Sequence, residues 1–266
     1  MLVEPKGHVR LNALKAKEKL VEHLKADGFL EADTSIELKP LSRGSHEFAL
    51  YVNYEYIELL TVQYVIEAMI MAEQEGCDAV TVACMYDPGI EQAREVLNIP
   101  VIGICESVFA LSQAMGFNRD VGIVTLAGRV RKKIYEMVDK YRFRPHLMLK
   151  EPVRTVPVEV YMRASTNPNR ENIEELKTVY INVAKELIHD GAELLINACG
   201  GMGPLLFVEG LKDVDGVPVL EPLASGIKMA EVIIKYKKLG IFKGRIGGSA
   251  SLEDIKRGRS YFGLNV

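Results

Sequence analysis

The chain has 266 residues, 48% of them apolar, enough to bury a sizeable core as one large domain or two small ones. Its 33 basic and 36 acidic residues leave a formal net charge of −3, which argues against the basic excess of a nucleic-acid or membrane-surface protein. No apolar run is long enough to span a bilayer and the first twenty residues hold no signal core, so a cytoplasmic protein with no membrane partner is expected.

Val9 to Asn12 reads as a short strand, and Lys15 to Lys25 as a helix with Leu20, Val21 and Leu24 as its apolar stripe. Ser35 to Leu41 alternates as a strand does, and Ser42 to Glu47 is a loop. Tyr56 to Glu75 is a helix with Leu59, Val62, Ile66 and Met69 on one face, ended by Gly76. A buried strand then runs to Cys84, and Asp87 with Pro88 reads as the cap and first position of a helix reaching Leu97. Ile99 to Ile104 is a continuous apolar strand, and Glu106 and Ser107 open a helix that stops near Gly116. Asn118 to Asp120 marks the boundary between halves.

Asp120 to Leu126 is a strand and Arg129 to Tyr141 a helix with a basic outer face. Residues 145–158 hold one strand, and Ala164 to Arg170 is a polar loop. Glu171 to Asp190 is a helix with Leu176, Val179, Val183 and Leu187 on one face, ended by Gly191. A strand to Cys199 follows, then a strand over Val217 to Leu220 and a helix from Ser225 to Lys238. The tail from Gly244 is rich in Gly and basic residues and carries no clear pattern.

This order contains a duplication. In each half a helix ends at a glycine, an apolar strand follows, and a cysteine lies eight residues after that glycine: Gly76 and Cys84, Gly191 and Cys199. Ile99-Pro100-Val101 and Val217-Pro218-Val219 match in turn. Alternating helices and strands predict an α/β fold of two lobes related by an approximate two-fold, each a mainly parallel sheet flanked by helices. The first lobe is expected to comprise residues 1–118 with 219–266, and the second 119–218. Both cysteines then fall at carboxyl ends of buried strands, where parallel α/β folds build their sites, and they are expected to face one pocket between the lobes.

Four cysteines in a chain this long do not make a disulfide framework. Taken singly, each reads as a small buried hydrophobe, and that reading is kept for Cys77 and Cys105. The matched pair differs, because packing alone gives no reason for a cysteine at the same place in two repeats. Thiols on opposite sides of a carbon acid suit two-base proton transfer: one removes a proton, the other returns one to the opposite face. Sulfurs roughly 7 Å apart would hold that carbon between them. Turns rich in Gly, with helix starts beside them, aim N–H groups at the sulfurs or at an enolate-like intermediate. Such chemistry needs no metal, nicotinamide or pyridoxal phosphate.

Residues 57–235 resemble the aspartate/glutamate/hydantoin racemase superfamily, and its hydantoin racemase branch most. Ala83-Cys84-Met85-Tyr86-Asp87-Pro88-Gly89 resembles the A-C-x-x-D-P-G segment, and Pro100 to Glu106 the P-V-x-G-x-x-E segment. Gly122 to Thr125 resembles G-I-V-T, and Cys199-Gly200-Gly201-Met202 resembles C-A-G-M. The resemblance implies an aspartate racemase-like fold and a cofactor-independent, homo-oligomeric racemase with Cys84 and Cys199 as acid and base. It also implies that the turns holding Met85, Tyr86, Gly200 and Gly201 bind the oxygens of a small-molecule substrate. Amino-acid racemases of the superfamily carry C-N-T and C-T-H around these cysteines, and this chain has neither, which favours a 5-substituted hydantoin. The family opens on a strand ending in an N-P-N-like motif; with Val9 to Asn12 in that place, Asn12 and Thr125 become candidate equivalent substrate contacts.

Alternatives in the same fold are an amino-acid racemase and a maleate isomerase-like enzyme; an arylmalonate decarboxylase uses one cysteine, so the pair counts against it. A non-catalytic small-molecule binding protein is a reading of a different class. The five histidines show no zinc spacing, and no nucleotide-binding glycine motif is complete.

Overall fold

The computed structural model describes residues 2–5, 8–41, 54–116, 120–242, 244–245 and 251–264. Two sheets organise it. The first is four-stranded: β1 (Leu2–Pro5), β2 (Leu38–Leu41), β3 (Val80–Val82) and β4 (Val101–Gly103), in the order β2-β1-β3-β4 and all parallel. The second is five-stranded: β5 (Val121–Leu126), β6 (Val153–Val156), β7 (Leu194–Asn197), β8 (Asp213–Val214) and β9 (Val217–Leu220), in the order β6-β5-β7-β9-β8. Only β8 is antiparallel, a short hairpin partner of β9. Without it, both sheets place their first four strands in one order: second, first, third, fourth. The duplication read from the sequence is thus a duplication of topology.

β3, β5 and β7 are buried at every position. Runs such as Val121–Leu126 are continuously apolar because helices cover both faces of a parallel sheet. The helices are α1 (His8–Ala26), α2 (Glu55–Gln74), α3 (Ile90–Val96), α4 (Ile104–Ala114), α5 (Arg129–Lys140), α6 (Val158–Thr166), α7 (Arg170–His189), α8 (Met202–Val208), α9 (Pro222–Lys238) and α10 (Leu252–Tyr261). None is long and apolar enough to cross a membrane. Gly76 and Gly191, at φ +88 and +107, end α2 and α7 in the left-handed region, which costs glycine little.

Several local expectations are corrected. The first strand is Leu2–Pro5, and Val9 to Asn12 belongs to α1. The strand expected over Ser35 to Leu41 is confined to Leu38–Leu41, and the loop expected over Ser42 to Glu47 lies outside the described residues. α2 buries Thr61, Val65, Ala68, Met69 and Ala72, while Leu59 is 68% exposed. Of the four residues expected on the buried face, only Met69 is buried, and Ala68 and Ala72 share that face with it. The first three residues of the polar loop expected over Ala164 to Arg170 are the end of α6, whose buried Val160, Tyr161, Ala164 and Ser165 follow helical spacing, and Arg170 opens α7. α9 starts at Pro222, three residues early, because Glu221 caps it and proline suits the first helical position. The tail forms α10, capped by Ser251.

α9 returns to the first sheet, packing on α4, β3 and β4. α1 crosses the other way, onto α6, α8 and α9. Ala16, Leu20, Val21 and Leu24 on α1 therefore join one large core with the second sheet, while β3, β4, α2 and α3 enclose a smaller one. Cys84 packs against both.

Candidate active site

Cys84 lies two residues beyond Val82, the end of β3, and Cys199 two beyond Asn197, the end of β7. These are the third strands of the two sheets, so the cysteines occupy matched places. The turns that carry them touch. A Cβ at Gly200 would overlap the Ala83 carbonyl oxygen and lie 2.8 Å from its carbon and 3.3 Å from the Cys84 nitrogen. Only glycine allows this approach.

Cys199 is buried, and its Sγ accepts from the Met202 N–H at 3.4 Å. Burial pushes its thiol up; the N–H groups of Met202 and Gly201 and the charge of Lys17 pull it back, and Glu221 adds to the rise. Thr125 is fully buried in β5, and its hydroxyl donates to the Ala198 carbonyl at 2.9 Å. It fixes the peptide that precedes Cys199.

The Cys84 turn is held differently from the sequence expectation. Asp87 does not cap the helix that follows it: that helix starts at Ile90 after Gly89, at φ +74. The buried Asp87 carboxylate instead accepts from the N–H groups of Cys105 and Glu106, each at 3.1 Å, and from the Tyr141 hydroxyl at 2.8 Å. It caps α4, across the turn, and leaves space only for glycine at Gly103, where a Cβ would lie 2.5 Å from its Cγ. Burial pushes the carboxyl up to about 6, against the pull of those three donors. Cys84 therefore does not sit at the start of α3. Its turn is tied to α4 through Asp87, just as the turn after Cys199 meets the cap of α9, where a Cβ at Gly203 would lie 2.6 Å from Glu221 Oε1.

Met85 is buried in the core. Tyr86 is buried, and its hydroxyl is pushed up by burial and then by the charges of Cys84 and Cys199. Gly201 lies against the Tyr161 hydroxyl, 3.1 Å from Cζ for an added Cβ. Asn12 is in the second turn of α1 and is not the equivalent of Thr125. The ladders pair Val3 with Val82 and Val124 with Asn197, so the residue matching Thr125 is Glu4. Cys105 is fully buried, its thiol pushed well up by burial and then by Asp87, as packing requires.

Three site residues escaped the sequence reading. Tyr161 lies on a helix that was not expected. Glu221 follows β9 directly, in the place an N-cap takes. Lys17 is 2% exposed on α1. It stands three and four residues before Leu20 and Val21, so it was visible as a lysine within an apolar stripe.

Two mainly parallel sheets of like strand order, each with a cysteine at the same carboxyl edge, define an α/β fold shared with solved racemases. The chain belongs to the Asp/Glu/Hydantoin racemase family, whose sequence profile matches residues 19–230. It is an isomerase, a racemase. It is 31% identical over 236 residues to a hydantoin racemase of Pseudomonas sp. (strain NS671), covering 87% of this chain and 88% of that one. It is 33% identical over 177 residues to a hydantoin racemase of Rhizobium meliloti, covering 66% and 68%. Among solved structures, an allantoin racemase from Klebsiella pneumoniae superposes with a TM-score of 0.68 at 20% identity, covering 92% of this chain and 90% of that one, a likeness of fold.

Proposed function

We propose that the chain racemises 5-substituted hydantoins by proton transfer between Cys84 and Cys199. The matched placement of the two cysteines, on turns held together by the Gly200–Ala83 approach, carries this reading. One sulfur, as thiolate, takes the C5 proton and becomes a thiol. The C5–H electron pair moves into the neighbouring carbonyl, giving an enolate. The other sulfur, as thiol, gives its proton to the opposite face of C5 and becomes the thiolate. Atoms and charge balance, and the next turnover runs in the reverse sense. The hydantoin relatives support the substrate class, and allantoin is itself a hydantoin with a ureido group at C5. Gly200 and Gly201, next to Cys199, and Met85 and Tyr86, next to Cys84, offer backbone and uncharged side chains suited to a neutral ring.

The lobes are read as 1–118 with 219–266, and 119–218; the packing of α9 on α4 and β4 supports that division. A homo-oligomer is expected by analogy, and Tyr56 and Leu59, 69% and 68% exposed on α2, supply apolar surface for it.

Proton NMR in deuterium oxide with L- and D-5-substituted hydantoins tests the reaction. Wild type should racemise both with deuterium entering at C5, and Cys84→Ser and Cys199→Ser should each fail to racemise. A folded wild type with no exchange above background would remove the hydantoin assignment. A mutant that still racemises would remove the two-thiol mechanism.

A further inference from the structure

A two-thiol site must carry one negative charge throughout its cycle, on one sulfur, then on the enolate, then on the other sulfur. Burial makes that charge costly unless an opposite one is near. We propose that Lys17 is the fixed counter-charge of this site, holding either cysteine as thiolate, and that the Glu221 carboxylate opposes it. The proposal rests on the two-thiol reading above.

The geometry supplies the placement. Lys17 is buried on α1, the helix that packs against α8, which follows Cys199, against α9, capped by Glu221, and against α6, which carries Tyr161. Glu221 Oε2 accepts from the Ala224 N–H at 2.6 Å, while its buried Oε1, beside Gly203, has no hydrogen-bond partner among the described residues. Cys199, Cys84 and Glu221 are among the ionisable groups whose fields bear on Lys17, the two sulfurs first. Burial pulls the Lys17 ammonium down to about 8 and those three groups resist, so it keeps its charge at neutral pH. Burial pushes Glu221 up to about 7.

As negative charge passes from sulfur to enolate to sulfur, no proton need leave or join Lys17. It is a positioning residue for charge, and its effect is legible without any substrate. Iodoacetamide reacts with thiolate and not with thiol, so the pH dependence of alkylation reads thiol ionisation. The rates at Cys84 and Cys199 are followed separately by peptide mass spectrometry on the full chain. Lys17→Met, of similar volume, should raise the Cys199 midpoint by about one pH unit, lowering its alkylation at pH 7.5 roughly tenfold with the high-pH plateau unchanged. Cys84 should move in the same direction. Glu221→Gln should move both midpoints down and raise alkylation at pH 7.5 severalfold. A folded Lys17→Met variant with midpoints unmoved would overturn the proposal. If Lys17→Met does not fold, Glu221→Gln decides alone, and unmoved midpoints there overturn it equally. Because no hydantoin is present, either failure is distinct from a failure of the substrate assignment.

Discussion

Gly200 rests against the main chain of Ala83, so close that any side chain at 200 would displace the peptide before Cys84. One contact thus couples the two cysteine turns, which belong to different sheets. Gly200→Ala should part them. Overpacking of this kind costs about 1–3 kcal/mol, and racemisation should fall at least tenfold because the cysteines lose their shared register. Gly258→Ala, in α10 with open space around it, is the control and should be neutral or slightly stabilising. Thermal melts and racemisation rates on both variants check this; equal behaviour would show that the contact is slack.

Asp87 joins the Cys84 turn to the start of α4 through three accepted hydrogen bonds. Asp87→Ala leaves the N–H groups of Cys105 and Glu106 and a tyrosine hydroxyl without their acceptor, a loss of about 3 kcal/mol. Tyr141→Phe removes one donor and should cost about 1 kcal/mol. Urea unfolding of the two variants gives the comparison. Near-equal losses would mean that the helix cap contributes little and the tyrosine contact dominates.

Thr125 is a candidate substrate contact by sequence, and its hydroxyl donates to the Ala198 carbonyl. The expected consequence is a split in kinetics. Thr125→Val should lower kcat several-fold through a loosened Cys199 turn and leave KM within about twofold, at a stability cost of about 1–2 kcal/mol. Steady-state rates with the preferred hydantoin decide. A rise in KM with kcat unchanged would return Thr125 to the substrate.

Where local pattern and tertiary demand agree, the sequence is readable. Leu194–Asn197 is apolar throughout because both its faces are covered, and Gly191 stops the preceding helix by backbone conformation alone. The matched cysteines follow from such signals. The misreadings share a different cause. Asp87 has the spacing of a local N-cap, yet its partners are 18 and 19 residues away, which only the folded turn brings near. Val9 to Asn12 offered the right residue types for a first strand, but the ladder is made by Leu2–Pro5, a strand too short to stand out. Lys17 stands within the apolar stripe of α1, but lysine is almost never fully buried, so local pattern gives no reason to expect its burial.

The same buried charges set how stability responds to pH. Stability rises with pH wherever the unfolded chain holds more protons than the native one, and falls where it holds fewer. Glu221 is pushed by burial from 4.5 up to about 7, so between those values the native protein keeps a proton that the unfolded chain has lost. Stability should therefore be greatest below the unfolded value and decline as pH rises to about 7. Asp87, raised to about 6, adds to this slope at its acid end. Lys17 is pulled from 10.5 down to about 8, so between those values the unfolded chain holds the extra proton and Lys17 by itself favours recovery, opposed above about pH 9 by Cys199 and Cys105, whose buried thiols keep protons that the unfolded chain has lost. Glu221→Gln removes the largest part of the decline, and relative to wild type the variant should gain about 3 kcal/mol between pH 4.5 and 7.5. Urea unfolding at those two pH values measures the difference. Parallel stability curves for variant and wild type would show that Glu221 titrates in the native protein as it does in the unfolded chain.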